Sequence, residues 1–395
     1  APAPARSPAP SVDLAQHFGL AAEAFARVQD TGESAAVESW RGHVEVLGSA
    51  PIDELRASLA PELERDPSDL RWQAALLALL HSKSSSARHA FAELLRDFDD
   101  DRRSYALRVL RSWQDPRAQA IAAASLSAAS SDPALRAVWL ECFADRGWDP
   151  GVEVIEAALA DTEPAIVAAA LRLVPRSSAA KSLRPKLAGH LFTPDPSLRI
   201  EAIETALVFG DQSAWLVCCQ LARNPSFSIA SELVGLLGTE AELAQLRQAF
   251  DAAPTPELLW ALGLSGRRVG LDACVEHFDD DDDLTREAAR EGLSVAAGRG
   301  FASVSEAKSW LEQRGASRSL GGAERGPAQV LAVLAEAPDR LRRALARELR
   351  IRSRGRVHLD PGALPHAWRS QLDAPLSIDF DRGFPWTDAE LGDGP

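Results

Sequence analysis

The sequence predicts an all-α fold, a right-handed α-solenoid of about eight helix pairs with helical caps. Three observations carry that prediction. A short phrase recurs along the chain: an acidic or small polar residue, usually a proline, an arginine or apolar residue, then an alanine- and leucine-rich run. Its second positions are Pro67, Asp100, Pro133, Pro164, Pro196, Pro225, Pro256 and Asp283, giving steps of 33, 33, 31, 32, 29, 31 and 27 residues. A period in this range marks stacked units, none of which buries its apolar face alone. Next, 46% of the residues are hydrophobic but only 6% are aromatic. Small side chains make up the difference, as in Ala122-Ala123-Ala124 and Ala168-Ala169-Ala170, and these favour helix and let helices approach closely. Finally, runs of alternating β-branched residues are missing, which argues against a sheet.

Residues 1–11 are a Pro/Ala tail, expected to be flexible and extended. Residues 12–64 form an N-terminal helical cap with helices expected over 12–28, 35–47 and 52–63; they lack the recurring phrase, as a terminal unit covering an exposed apolar face should. The solenoid proper spans 65–300. Asp132-Pro133 shows how each unit starts. The aspartate accepts from otherwise orphaned N–H groups, and proline is tolerated at the first helical position. Leu135, Val138, Trp139, Cys142 and Phe143 then repeat at helical spacing, and Arg146–Gly151 breaks the run. Further helices are expected over 152–159, 164–173, 179–191, 196–208, 213–222, 225–237, 240–250, 256–264 and 269–278. Residues 301–326 read as a looser region around one helix at 305–313. A last pair is expected at 327–334 and 338–350, within a C-terminal helical region 301–372 that holds an arginine-rich helix. Residues 373–395 read as an irregular tail.

The run Glu257-Leu258-Leu259-Trp260-Ala261-Leu262-Gly263-Leu264-Ser265-Gly266, followed by Asp282-Asp283-Leu284-Thr285-Arg286-Glu287-Ala288-Ala289, resembles HEAT-like repeats. The similarity is to the short bacterial form also found in phycobilin lyase subunits. The arginine of the phrase stands at Arg136, Arg199 and Arg286, and one place later at Arg71; the units at Pro164, Pro225 and Pro256 lack it. The chain is also similar to HEAT-like proteins of proteobacteria whose C-terminal part carries an arginine-rich helix. The resemblance covers roughly residues 66–300 and implies a fold rather than a function, because such repeats serve many partners.

A net charge of −14 repels phosphate backbones, so nucleic-acid binding would need a strong local basic patch. Cys142, Cys218, Cys219 and Cys274 show no C-x-x-C spacing and lie in apolar helical stretches, where a reduced cysteine acts as a small hydrophobe. That usage fits a reducing, cytoplasmic setting. No apolar run approaches the ~18–20 residues that span a bilayer.

The most unusual local feature is the cluster Arg340, Arg342, Arg343, Arg347, Arg350, Arg352, Arg354 and Arg356. Helical spacing places Arg343, Arg347, Arg350 and Arg354 on one face, with Leu341, Leu345 and Leu349 opposite. Two readings stand side by side. The face docks an acidic protein, RNA or lipid headgroups, or it covers the acidic solenoid, with Asp279–Asp283 as the obvious carboxylate partner. The recurring arginines read as scaffold rather than as an anion ladder. The five-aspartate run is not an EF-hand: counted from Asp279, the sixth position is Leu284 and the twelfth Arg290, where glycine and glutamate are required. Trp72, Trp113, Trp139, Trp215, Trp260 and Trp310 read as core, although such residues can line a peptide groove. Trp368 and Trp386, outside the repeats, are the better docking aromatics. No H-E-x-x-H, G-x-x-x-x-G-K-[ST] or G-x-S-x-G occurs, and His81 and His89 stand by Ser82–Ser86 without a nearby carboxylate pair.

The expected function is therefore a non-catalytic scaffold that binds a protein partner, with Arg343, Arg347, Arg350, Arg354 and Trp368 as contact residues and no cofactor or metal. The alternative class is a bilin-lyase-like enzyme or chromophore-handling protein, which the resemblance suggests. A nucleic-acid binder like the HEAT-like DNA glycosylases ranks below both, on charge.

Overall fold

The computed structural model describes residues 14–31, 34–66, 69–81, 85–112, 118–314, 317–357, 359 and 384. These residues fold almost entirely as helix, and most helices pack on their near neighbours in sequence. The chain divides into two compact units, the first ending at Trp148 and the second beginning at Asp149.

The N-terminal unit contains α1 (Leu14–Thr31), α2 (Ser34–Ser49), α3 (Ile52–Leu63), α4 (Leu70–His81), α5 (Ser85–Asp97), α6 (Asp100–Ser112), α7 (Ala118–Ala128) and α8 (Pro133–Arg146). α4 packs on α1, α2 and α3 and then on α6, and α6 packs on α8. Trp72 and Trp139 are wholly buried, meeting Phe98 at 5.5 Å and Phe91 at 6.2 Å between ring centres. Both tryptophans are core, as their spacing predicts.

The C-terminal unit begins with α9 (Val152–Leu159) and α10 (Pro164–Leu173), continues through α11 (Ala180–Leu183), and reaches α12 (Pro196–Val208) and α13 (Gln212–Leu221). Then come α14 (Ser228–Leu237), α15 (Glu240–Ala252), α16 (Pro256–Leu264), α17 (Arg268–Glu276), α18 (Asp283–Ala297) and α19 (Val304–Glu312). A hairpin of β1 (Ser319–Leu320) and β2 (Ala323–Glu324) precedes α20 (Pro327–Glu336) and α21 (Asp339–Arg352). α10 packs on α12, α14 on α16, and α16 on α18, while α15 packs on α17 and α17 on α19.

The recurring phrase is a helix-start signal. Asp132, Asp195 and Asp282 each accept from the backbone N–H three residues on, at 2.8–3.1 Å, and Thr255 does so at 3.3 Å; Asp211, outside the phrase, caps α13 in the same way at 3.1 Å. Proline opens α8, α10, α12 and α16, where its missing N–H costs nothing. The arginines of the phrase tie down the loops. Arg71 pairs with Glu62 at 2.6 Å, Arg199 donates to the Thr193 carbonyl at 2.9 Å, and Arg286 donates to the Asp280 carbonyl and pairs with Asp283.

Glycines set how closely the first helices of neighbouring pairs approach. A Cβ on Gly263 would lie 2.6 Å from the Gly292 Cα, so α16 and α18 cross backbone to backbone. A Cβ on Gly235 would fall on the Ala261 carbonyl, which fixes α14 against α16 in the same way.

Two expectations are corrected. The helix expected over 179–191 exists as α-helix only from Ala180 to Leu183, and residues Arg184–Phe192 continue as 3-10 turns. Pro185 has no N–H to give and its ring crowds the preceding turn, so the α-helix stops there. The looser region 301–326 holds the β-hairpin, although the lack of β-branched runs argued against a sheet. Gly321 and Gly322 take φ of +58° and +83°, the left-handed pair that a two-residue hairpin turn needs. The hairpin is held by the helices under it: Gly321 and Gly322 donate to the Val295 and Ala296 carbonyls at 2.8 and 2.9 Å, and Ser319 donates to Gly266 O at 2.9 Å. It thereby satisfies carbonyls that the end of α18 leaves open.

Candidate functional site

The arginine-rich helix α21 is built from two sequence patterns at once. Leu341, Ala344, Leu345 and Leu349 are buried, and the arginines flank them. The helix lies against α12 and α14. Those two helices carry the glutamates Glu201, Glu204 and Glu232, and these meet the arginines. Arg347 places Nε 2.9 Å from Glu204 Oε1 and Nη1 3.3 Å from Glu232 Oε2. Arg350 lies 3.9 Å from Glu201, which Arg172 approaches to 3.6 Å from α10. Arg340 lies 3.8 Å from both Glu232 and Glu291 and covers the Trp260 ring at 4.4 Å. The Trp260 indole N–H donates to Glu232 at 3.1 Å.

Burial pushes the Glu232 carboxyl above its ordinary range, against the opposing charges of Arg347 and Arg340. Burial likewise raises Glu201; Arg172 opposes the shift and the neighbouring Glu204 charge adds to it. For Arg347, burial is outweighed by Glu204, Glu232 and Glu201, so its cation is held more firmly than usual.

Behind this layer lies a deeper one. Arg318, Arg325 and Glu348 have side chains with no exposed surface, and Arg352 has almost none. Glu348 receives Arg325 in a close pair, Arg352 Nε at 3.0 Å and Arg318 at 3.7 Å. The guanidiniums also reach helix ends: Arg318 and Arg352 each donate to Leu236 O at 3.0 Å, Arg318 to Ser265 O at 3.0 Å, and Arg325 to Leu264 O at 2.7 Å. These carbonyls stand at the C-terminal, partially negative ends of α14 and α16. Burial pushes the Glu348 carboxyl up, but Arg325, Arg352 and Arg318 together hold it below the ordinary range.

Of the residues singled out in the sequence, Arg347 and Arg350 are thus seated among internal glutamates. Arg343 is 60% exposed and pairs along its own helix with Asp339. Arg354 leaves the shared face: α21 ends at Arg352, and Arg354 takes a left-handed φ of +56°. Ser353 and Gly355 complete that helix stop, with the Gly355 N–H donating to Arg350 O at 2.8 Å. Trp368, Trp386, Trp113 and the side chains of His81 and His89 lie outside the described residues.

The Asp279–Asp283 run is not the partner of α21. Asp279 pairs with Arg290, Asp280 with His277, and Asp283 with Arg286, while Asp282 caps α18. Glu204, Glu232, Glu201 and Glu348 were missed by sequence reasoning. Their signal was available: a glutamate inside an otherwise apolar helix, as in Ala230-Ser231-Glu232-Leu233-Val234, requires a buried cation.

Guanidiniums do not exchange protons near neutrality. Burial pushes the Cys219 and Cys274 thiols up to about 12 and Cys218 well above its ordinary value, which keeps them protonated and unreactive. Among the described residues no group of three or more His, Cys, Asp or Glu is placed to hold a metal ion, and no helix is long and apolar enough to cross a membrane. No protein-family model matches the chain, and no curated protein is significantly similar to it. The class that fold and site define is an all-helical protein whose charged C-terminal helix is bound by its own neighbouring helices.

Proposed function

We propose that this chain is a HEAT-like, right-handed α-solenoid acting as a non-catalytic scaffold for a protein partner. One observation carries the reading: the surface of α12 and α14 already holds a helix, α21, by matched glutamates and arginines around an apolar seam. Helix-in-groove binding uses the same elements, with apolar anchors for affinity and charges for register. The solenoid half of the proposal is supported by the alternation of contacts, first helix on first helix and second on second, and by helix starts that fall on the recurring phrase. The internal pairing of Arg347 and Arg350 weakens the nucleic-acid alternative, since those cations already face carboxylates.

The test is affinity capture with the full chain, followed by reconstitution from purified components. A single protein binding stoichiometrically, at an affinity that Arg343→Glu changes, is the expected result. Reproducible turnover of a small molecule, a bilin included, with no stoichiometric protein partner would reject the proposal.

A further inference from the structure

Two histidines of the N-terminal unit take no part in the charged layers described above. His17 stands on α1 and His43 on α2, and these two helices pack on each other. The rings are tilted by 53° with centres 5.3 Å apart, and their Nδ1 atoms face each other at 3.1 Å. At that distance one Nδ1 donates and the other accepts, so only one of them carries a proton. Burial and the neighbouring His17 lower the His43 pKa, which favours the neutral imidazole that a metal ion requires. Both residues are half-buried, so an ion and its water can reach the facing nitrogens.

The same spacing fits coordination. An imidazole nitrogen binds Zn2+ at about 2.0–2.1 Å. Two such nitrogens on one ion stand about 2.9 Å apart at a right angle and about 3.3 Å apart at a tetrahedral angle. The observed 3.1 Å falls between those values, so one ion can take both nitrogens with little movement of either helix.

We propose that His17 and His43 form a two-histidine chelate for a transition ion, Zn2+ or Cu2+, that clips α1 to α2. Imidazole suits both ions and holds Cu2+ the tighter, whereas Mg2+ and Ca2+ take oxygen ligands. Water fills the remaining positions, because among the described residues no third His, Cys, Asp or Glu joins the pair. On binding, the proton between the rings moves to Nε2 of its own ring and frees both Nδ1 lone pairs. Two protein ligands hold an ion less firmly than the four of a structural zinc site, so this ion exchanges. The 26 positions between the two residues hide the pair from a search for metal-ligand spacing. The inference is independent of the scaffold reading.

The test is calorimetric titration of ZnSO4 into the full chain after chelator treatment, beside His17→Asn and His43→Asn. Asparagine keeps a polar group near the Nδ1 position but ligates poorly. One Zn2+ per wild-type chain is expected, with no binding of Mg2+. Each variant is expected to lose at least the roughly 10–100-fold in affinity that removing a ligand's hydrogen-bond partner costs. Either variant binding Zn2+ as the wild-type chain does would mean an adventitious ion only, held elsewhere, and overturns the proposal. No saturable Zn2+ binding by the wild-type chain overturns it as well. If the variants fail to fold, ring nitrogen spectra of the wild-type chain decide. One equivalent of Zn2+ must shift the Nδ1 signals of His17 and His43 together; a shift confined to other histidines, or to one of the two, rejects the chelate.

Discussion

Glu348 is the carboxylate set among three buried guanidiniums, those of Arg318, Arg325 and Arg352. Replacing both members of a buried ion pair with apolar groups is often harmless, but removing one member strands the other. Glu348→Gln keeps the shape and removes that anion. It is expected to lower the stability of the C-terminal unit by about 3–5 kcal/mol, read as a shift of its urea midpoint with an unchanged slope. A midpoint equal to wild type would show that the cluster does not depend on this carboxylate.

Arg347 joins α21 to α12 and α14 through Glu204 and Glu232. In Arg347→Ala those glutamates face each other and Glu201 without their main counter-charge. The Glu201 and Glu232 carboxyls are already raised, so their contribution to stability is full below the ordinary value of 4.5 and is lost as pH rises through the higher folded values. The variant sharpens this effect. It is expected to lose about 3–5 kcal/mol near neutral pH and distinctly less at pH 5, measured by chemical denaturation at both. A penalty independent of pH would show that Arg347 acts through packing alone. A second element-level prediction concerns the crossing of α16 and α18. Gly263→Ala must push the two backbones away from each other, since its new Cβ meets the Gly292 Cα and the Cys274 Sγ at 2.6 and 3.0 Å. Overpacking of this kind costs about 1–3 kcal/mol. A thermal midpoint unchanged by the substitution would contradict the close approach.

Across the whole molecule, acid acts through a different set of groups. Arg96 and the Leu135 N–H overcome burial to lower the Asp132 carboxyl, and bonds from Ser178 and Gly151 do the same for Asp149. His277 lowers Asp280, and the Thr285 N–H lowers Asp282. Depressed carboxylates contribute stability that is present above the ordinary aspartate value of 3.8 and lost as pH falls through the folded values. The raised glutamates run the opposite way. Thermal midpoints are therefore expected to fall below about pH 4 as the caps protonate. A midpoint unchanged between about pH 5 and about pH 3 would show that Asp132, Asp149, Asp280 and Asp282 ionise as ordinary surface groups.

Local chemistry explains how much of this was legible. Asp132-Pro133 and Asp195-Pro196 start helices because a carboxylate and a preset φ act within three residues, so the starts of α8, α10, α12 and α16 followed from sequence alone. The ends of α9, α10, α12 and α16 were equally readable. The hairpin at Ser319–Glu324 was not read from the sequence: its short strands lack a β-branched pattern, and Gly321-Gly322 marked only a loop. Tertiary structure alone decided which carboxylates meet the arginines of α21. Asp279–Asp283 had the charge, but Asp280 and Asp283 are taken by neighbours three residues away and Asp279 by Arg290, eleven residues on. Glu204 and Glu232, more than a hundred residues before Arg347, were left to receive it. Periodicity reports what a residue does within a few turns of its own helix. Pairing across 115 positions depends on which buried charges remain uncompensated once the helices have packed, and no local pattern encodes that remainder.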